Sequence, residues 1–388
     1  MGDAAQRHEA LVARLRDSGA ASGRVLDAFA AVPRHLFLPG IAPVLAYADD
    51  AIVTHEHDGV PTSSSSQPSL MARMLEQLDV RPGDRVLEVG AGTGYNAAVI
   101  AALGAVVTTV ELQPEVAAAA RRHLARAGVA EDAVTVVTGD GADPPGGPYD
   151  RIIVTAGCWS LPAELTGALA DGGVLVAPLR VNAVELALAL RRDGELLRGG
   201  DGIPCGFMPL RGGAERPWRW ELGAGGLATA DADIGDEGRG ALDRLLASPA
   251  RAAGEVLALR SGEHGLGALT WLGLQGDPLI SLLLPGDRGA RPPWTIGLHV
   301  LPGSLLVFEL PAGSPAIANV RLHGGDGALR ACHAGIDAWR AAGSPPPQAL
   351  ELTVAPRSDR GGWSLPYRGA DGAATMVRGA HSWTLRYP

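Results

Sequence analysis

Four runs of β-branched and aliphatic residues, RVLEVG at 85–90, VVTTVEL at 106–112, VTVVTGD at 134–140 and RIIVTAG at 151–157, alternate with stretches of helical periodicity. No other feature limits the chain as tightly, because strand, helix, strand, helix in this order buries its apolar faces as a parallel, doubly wound α/β sheet. Upstream, Leu11, Val12 and Leu15, and then the stretch 25–31 before Pro33, predict two short helices. Leu70, Met71, Met74, Leu75 and Leu78 share one helical face with Pro68 in the first turn, so a helix is expected over 67–78. Downstream, a helix around 163–169 leads into VLVAPL at 174–179, with VELALAL at 184–190 as its antiparallel neighbour, where the sheet should end.

The first strand delivers Gly90, Ala91, Gly92, Thr93 and Gly94 into the start of a helix. Glycines there allow close approach of a nucleotide-type ligand, and a helix N-terminus offers free N–H groups. The spacing is G-x-G-x-G, whereas a dinucleotide fingerprint wants its third glycine where this chain has Tyr95. A phosphate-free ligand can do without that glycine, which favours S-adenosylmethionine over a dinucleotide. Glu111, ending the second strand, can accept two hydrogen bonds from ribose hydroxyls. Asp140 and Gly141, ending the third, can take the adenine amino group and leave room for the ring.

Composition removes several classes of function. All 33 basic residues are arginine, so Schiff-base and lysine-base chemistry is excluded, and a net charge of −9 without a basic stretch disfavours nucleic acid. Cys158, Cys205 and Cys332 lie far apart without metal-ligand spacing, so reduced, buried thiols and no metal are expected. Neither a signal peptide nor a run of about 18 apolar residues is visible, which points to a cytosolic protein without membrane contact. From Gly212 the texture changes, with Trp218, Trp220, Trp271, Trp294, Trp339, Trp363 and Trp383 all beyond it. Two domains are therefore expected, 1–212 and an α+β accessory domain over 213–388. The second should hold strands at VLALRS, LTWLGL, LISLLLP, LLVFELP and LELTVAP and one helix over 328–342. Its tryptophans read as core or as a peptide platform. His333 and Asp337, one helical turn apart, read as a solvated face, and His55, Glu56, His57 and Asp58 as a polar loop near the acceptor.

Along residues 32–210 the chain resembles protein-L-isoaspartate O-methyltransferases. VPRHLF at 32–37, SSQPSLMARML at 65–75, the glycine turn, GDG at 139–141, PYDRIIVTAG at 148–157, DGGVLVAPL and FMPL at 207–210 occur in that family's order. The resemblance implies a Rossmann-like class I methyltransferase domain that uses S-adenosylmethionine. It places the catalytic serine on Ser66 and the cofactor contacts on Ser63, Ser64, Ser65, Ser66, Gly90, Ala91, Gly92, Thr93, Gly94, Glu111, Asp140 and Gly141. The chemistry is compatible. A carboxylate with a pKa near ~4 is ionised at neutral pH, so its methylation needs positioning but no general base. The competing reading is that Ser66 caps the helix over 67–78, and the two roles are compatible.

Two departures stand out. The usual repair enzyme of this family stops soon after the FMPL segment, whereas this chain continues, and the run at 63–66 replaces a Thr-Ile-Ser pattern with hydroxyls throughout. With its SSSSQP run and the CGFMPLRG segment at 205–212, the chain is similar to long actinobacterial forms that accompany ribosomal peptide natural products such as graspetides and lanthipeptides. That similarity implies methylation of an aspartate in a macrocyclised precursor peptide, followed by succinimide formation and isoaspartate. General isoaspartyl repair, small-molecule methylation and a non-catalytic peptide-binding module are the alternatives.

Overall fold

The computed structural model describes residues 2–58, 60–213, 219–223, 225–231, 233–253, 265–284, 294–300, 303–310, 319–358, 364, 367–368 and 372–387. The chain divides into two compact units, Met1–Pro178 with Ala187–Arg198 and Cys205–Glu215, and Leu179–Leu186 with Gly199–Pro204 and Arg216–Pro388.

In the first unit, α1 (Asp3–Asp17) buries Leu11, Val12 and Leu15, and α2 (Gly23–Ala31) buries Val25, Leu26 and Phe29. A 3-10 turn (Arg34–Phe37) and the short α3 (Pro43–Ala46) lead to an antiparallel pair, β1 (Ile52–His57) and β2 (Val60–Ser65). His55, Glu56 and His57 therefore stand in a strand rather than in the expected loop, with Asp58 in the turn at φ 51°. Next come α4 (Pro68–Leu78), β3 (Arg85–Val89), α5 (Tyr95–Ala102), β4 (Val106–Glu111), α6 (Pro114–Arg126), β5 (Val134–Thr138), β6 (Tyr149–Val154) and α7 (Ala163–Gly167). The long β7 (Leu169–Val181), β8 (Val184–Asp193) and β9 (Leu196–Pro204) complete this part of the chain.

The strands stand in the order β8-β7-β6-β3-β4-β5, and the pairs β7/β6, β6/β3, β3/β4 and β4/β5 are all parallel. β3 is central, and Val86, Leu87 and Val89 are at most 2% exposed, as both-face burial of a parallel strand requires. The chain moves outward from β3 through β4 to β5, then returns to the other side of β3 for β6. This reversal makes the crevice beyond the ends of β3 and β6 the place where such sheets hold ligands. Between β7 and β8, Asn182 and Ala183 have φ 45° and 71°, the pattern of a two-residue hairpin turn. The sheet does not end at β8 as expected, because β9 adds beside it.

In the second unit β10 (Arg219–Glu221), β11 (Leu227–Ala230), β12 (Ala250–Ala252), β13 (Leu279–Leu283), β14 (Trp294–Val300), β15 (Ser304–Leu310) and β16 (Asn319–Gly324) form an antiparallel sheet ordered β10-β11-β13-β14-β15-β16-β12. Strands β17 (Glu351–Pro356), β18 (Tyr367–Arg368), β19 (Ala374–Arg378) and β20 (His381–Arg386) pair in the order β18-β19-β20-β17. The helices are α8 (Gly235–Ala247), α9 (Gly265–Gly273) and α10 (Gly327–Ala341). LTWLGL, expected as a strand, lies mostly in α9, a helix buried on every side, for which an apolar run carries no period. VLALRS lies outside the described residues. Trp271, Trp339 and Trp383 are core, at 4%, 0% and 0% exposure, so these three form no platform. Trp220 is half-buried under the Arg239 guanidinium, the side chain of Trp294 is not described, and Trp218 and Trp363 lie outside the described residues. His333 and Asp337 are exposed on α10.

Candidate active site

After Val89 the chain turns sharply, with Gly90, Gly92 and Gly94 at φ 99°, 50° and 84°. These are conformations that glycine adopts without steric cost. Contacts within the protein require them too. A Cβ on Gly90 would lie 2.6 Å from Thr155 Oγ1, and one on Gly94 would lie 3.3 Å from Ala120 O and 3.2 Å from Leu124 on α6. Tyr95, where a dinucleotide fingerprint would have glycine, is 1% exposed and packs against Phe29 and Phe37.

The free N–H groups expected at this turn are mostly taken. Gly90 and Ala91 donate to Val110 O, Gly92 donates to Glu111 Oε2 at 3.1 Å, and Gly94 donates to Ala91 O. Of the five amides at 90–94, only that of Thr93 has no partner among the described residues. The Ala91 and Thr93 side chains are buried, and Thr93 Oγ1 accepts the Tyr95 N–H. Thr155 secures the turn from β6, its hydroxyl lying 3.0 Å from Val89 O and 2.9 Å from Gly90 O.

Glu111 is 6% exposed and accepts the Gly92 N–H on Oε2 and the Gln113 N–H on Oε1, the latter also at 3.1 Å. A carboxylate has about four acceptor sites, so both oxygens retain capacity for a diol. Asp140 accepts the Ala142 N–H at 2.9 Å and the Gly213 N–H at 2.6 Å. Gly212 is pressed so closely on this carboxylate that a Cβ there would overlap it. The segment after FMPL thus folds onto Asp140. Gly141 has a different reason from the one expected, since a Cβ there would overlap Val89 Cγ1.

The serine strand lies against the glycine turn, for a Cβ on Gly92 would be 3.3 Å from Ser64 O and 3.7 Å from Ser63 Oγ. Its four hydroxyls are not equivalent. Ser63 and Ser65 are 8% and 4% exposed; Ser63 Oγ accepts from Thr54, and Ser65 Oγ accepts from Arg34. Ser64 and Ser66 are half-buried, and neither hydroxyl has a partner among the described residues.

Ser66 does not cap the following helix. The cap position is Gln67, which makes no side-chain cap, and the Ser69 N–H is taken at 2.9 Å by Asp49, which also accepts from Gln67 Nε2. Arg34, fully buried, donates to the carbonyls of Ala46, Ala48, Asp50, Ser65 and Ser66. Burial lowers its pKa to about 10, with Tyr95 and Asp49 opposing, so it stays charged at neutral pH. Arg34 and Asp49 together fix where the serine strand meets α4. Sequence reasoning assigned neither a role, although Arg34 lies in the quoted VPRHLF.

Under the turn, Glu88 is fully buried and accepts from Thr109 Oγ1 at 2.6 Å and Asn96 Nδ2 at 2.8 Å. Burial raises its pKa to about 7 against those two hydrogen bonds, with Glu111 adding to the rise.

Residues 6–215 match the family profile of protein-L-isoaspartate(D-aspartate) O-methyltransferase. A protein-L-isoaspartate O-methyltransferase of Methanoculleus marisnigri is 40% identical over 223 residues, 56% of this chain and 96% of the relative. One from Roseiflexus castenholzii is 39% identical over 213 residues, 54% of this chain and 94% of the relative. A solved protein-L-isoaspartate O-methyltransferase has the same fold at TM-score 0.52 and 24% identity, covering 90% of this chain and 96% of its own. This chain accordingly has the Rossmann-like class I methyltransferase fold, and its cofactor is S-adenosylmethionine, which the spare acceptor capacity of Glu111 and the G-x-G-x-G spacing of the turn suit. Because the profile spans more than half of the chain and the relatives align along nearly their whole length, this enzyme belongs to the protein-L-isoaspartate(D-aspartate) O-methyltransferase family.

Proposed function

We propose that this enzyme esterifies the free carboxylate of isoaspartyl residues in peptides and proteins, and that Ser66 orients the acceptor oxygen. One observation carries the reading. The Ser66 hydroxyl has no partner among the described residues, while its carbonyl is held by Arg34 and the helix behind it is capped by Asp49. A hydroxyl on a fixed backbone, half-exposed, is suited to hold an oxygen in line without taking a proton.

When bound, S-adenosylmethionine supplies an electrophilic methyl group on a sulfonium sulfur. Glu111 would accept from the ribose hydroxyls through its remaining lone pairs, and Asp140 with Gly141 would border the adenine. Gly90, Ala91, Gly92, Thr93 and Gly94 would act through the backbone, as would Ser63 and Ser65, whose side chains are engaged elsewhere. The acceptor carboxylate is already ionised, so Ser64 and Ser66 have only to orient it and limit water around it.

A narrower second reading has as acceptor an aspartate of a macrocyclised ribosomal peptide, whose ester would close to a succinimide. The place of the CGFMPLRG segment favours it, because Gly212 at its end is pressed on the Asp140 carboxylate. Two facts weigh the other way. With Ser66 as the serine of Thr-Ile-Ser, the departing middle residue is Ser65, which is buried with its hydroxyl already bonded to Arg34. The solved relative also covers 90% of this chain, so the length beyond 215 is not peculiar to it.

Mass spectrometry decides between them. Enzyme and S-adenosylmethionine are incubated with a simple isoaspartyl peptide and, separately, with a macrocyclised precursor bearing unmodified aspartate. Methylation of the first supports the primary reading. Methyl gain followed by net loss of water on the second alone supports the narrower one. Transfer to neither peptide refutes both and leaves a binding module or a small-molecule acceptor.

A further inference from the structure

A protein of net charge −9 that takes an anionic acceptor needs a local cation, and the fold supplies one that the sequence did not reveal. Arg211 follows the FMPL segment, 149 residues from the serine strand, yet its Nη2 donates to Thr62 O at 3.1 Å. The same carbonyl accepts Gln113 Nε2 at 3.3 Å, two residues past Glu111. Arg211 thus sits on the rim where the serine strand, the ribose-side acid and the segment closing on Asp140 converge.

Its surroundings are unusual for an arginine. It is half-buried, and no carboxylate lies within ion-pair distance of it among the described residues. Arg151, also withdrawn from solvent in this unit, pairs with Asp84 at 3.4 Å. A guanidinium carries five N–H donors in a planar fork, and one contact to a carbonyl leaves most of them available to a planar anion. Partly desolvated charge without a counter-ion is costly, and a ligand carboxylate would relieve that cost.

We infer that Arg211 is a specificity-determining residue that binds the acceptor as a carboxylate and releases it as an ester. The inference rests on the carboxyl-methylation reading above. In that reaction a carboxylate lone pair forms the O–CH3 bond, the C–S electron pair returns to sulfur, and no proton moves. The acceptor loses its negative charge, so the attraction that draws substrate in is absent from product.

The test is equilibrium binding to the S-adenosylhomocysteine complex, in which no turnover occurs. The probes are an isoaspartyl peptide and the same peptide with the reacting carboxylate replaced by carboxamide. Wild type should bind the acid on the order of tenfold tighter than the amide, with the preference shrinking as salt rises. Arg211→Gln should weaken the acid alone and abolish both the preference and its salt dependence, while Arg211→Lys should keep part of each. Equal weakening of acid and amide in Arg211→Gln would mean that the residue only braces Thr62, and would overturn the inference. So would lost affinity for S-adenosylhomocysteine, because the arginine would then serve the cofactor carboxylate. An acid preference unchanged in Arg211→Gln overturns it while leaving the parent reading intact. A wild type that neither binds nor methylates isoaspartyl peptides removes both.

Discussion

At the scale of single residues, Ser66 and Asp49 share a corner but divide its duties. Ser66→Ala removes a hydroxyl with no partner among the described residues, so thermal stability and S-adenosylhomocysteine affinity should hold while turnover of an isoaspartyl peptide falls about 100-fold, as loss of a positioning donor does. Asp49→Ala removes the acceptor of the Ser69 N–H and should cost about 1 kcal/mol in denaturant unfolding. Had Ser66 been the cap, the stability loss would appear in the first variant and be missing from the second. Glu88 offers a pH signature. Its pKa, raised by burial from the usual carboxyl value to about 7, means that the folded state holds this proton more tightly than the unfolded chain. Its contribution is therefore full at acid pH and is lost as pH climbs through 7. Glu88→Gln should flatten the fall in stability between pH 5 and pH 8, a difference on the order of 3 kcal/mol. A wild-type decline that persists in the variant would place the titrating group elsewhere. The sequence singled out Ser66 and Glu111 as candidates because motifs mark them. It disclosed neither Arg34 nor Asp49, whose roles exist only once the loop before β1 is folded against the serine strand.

Among the elements, strands β3 to β6 were legible because each is a short β-branched run bounded by glycine or proline, and helices α1, α2, α4 and α6 because each has one apolar face. β1 was missed since THEH has no apolar alternation, and α9 was misread since a helix buried all round looks like any apolar run. The glycines were legible as a motif but not in their reasons. Gly141, after β5, is demanded by Val89 at the end of β3, two strands over, and Gly94 by α6. Gly141→Ala should therefore lower both cofactor affinity and stability by displacing the end of β3, and Val89→Ala in the same chain should recover much of the loss by opening the space the new methyl needs. That is a non-additive pair measurable in a double-mutant cycle. Additive losses would show that Gly141 answers to the ligand and not to β3.

For the molecule as a whole, two units were expected with a single crossing between them, but the chain belongs to the second unit three times, at 179–186, at 199–204 and from 216 onward. No composition change marks the first two visits, because a strand's inward residues read alike whichever core receives them. Asn182 fastens the first visit. It is fully buried, its Nδ2 donates to Gly273 O at 2.7 Å and Asp277 O at 3.0 Å, its Oδ1 accepts from Leu279 N, and its own N–H donates to Asp231. Asp231 in turn pairs with buried Arg378 at 3.0 Å. Asn182→Ala deletes three of these bonds, strands buried main-chain groups and keeps a positive φ that alanine tolerates poorly, so it should cost about 2–4 kcal/mol. Where that loss is felt separates two kinds of molecule. If the units unfold independently, hydrogen exchange in Asn182→Ala should quicken across 265–284 while strands β3 and β4 keep wild-type protection and the enzyme keeps its affinity for S-adenosylhomocysteine. If exchange quickens equally in β3 and β4, the repeated passage of the chain has made one cooperative body, and a change buried in the second unit will reach the methyl-transfer site through stability alone.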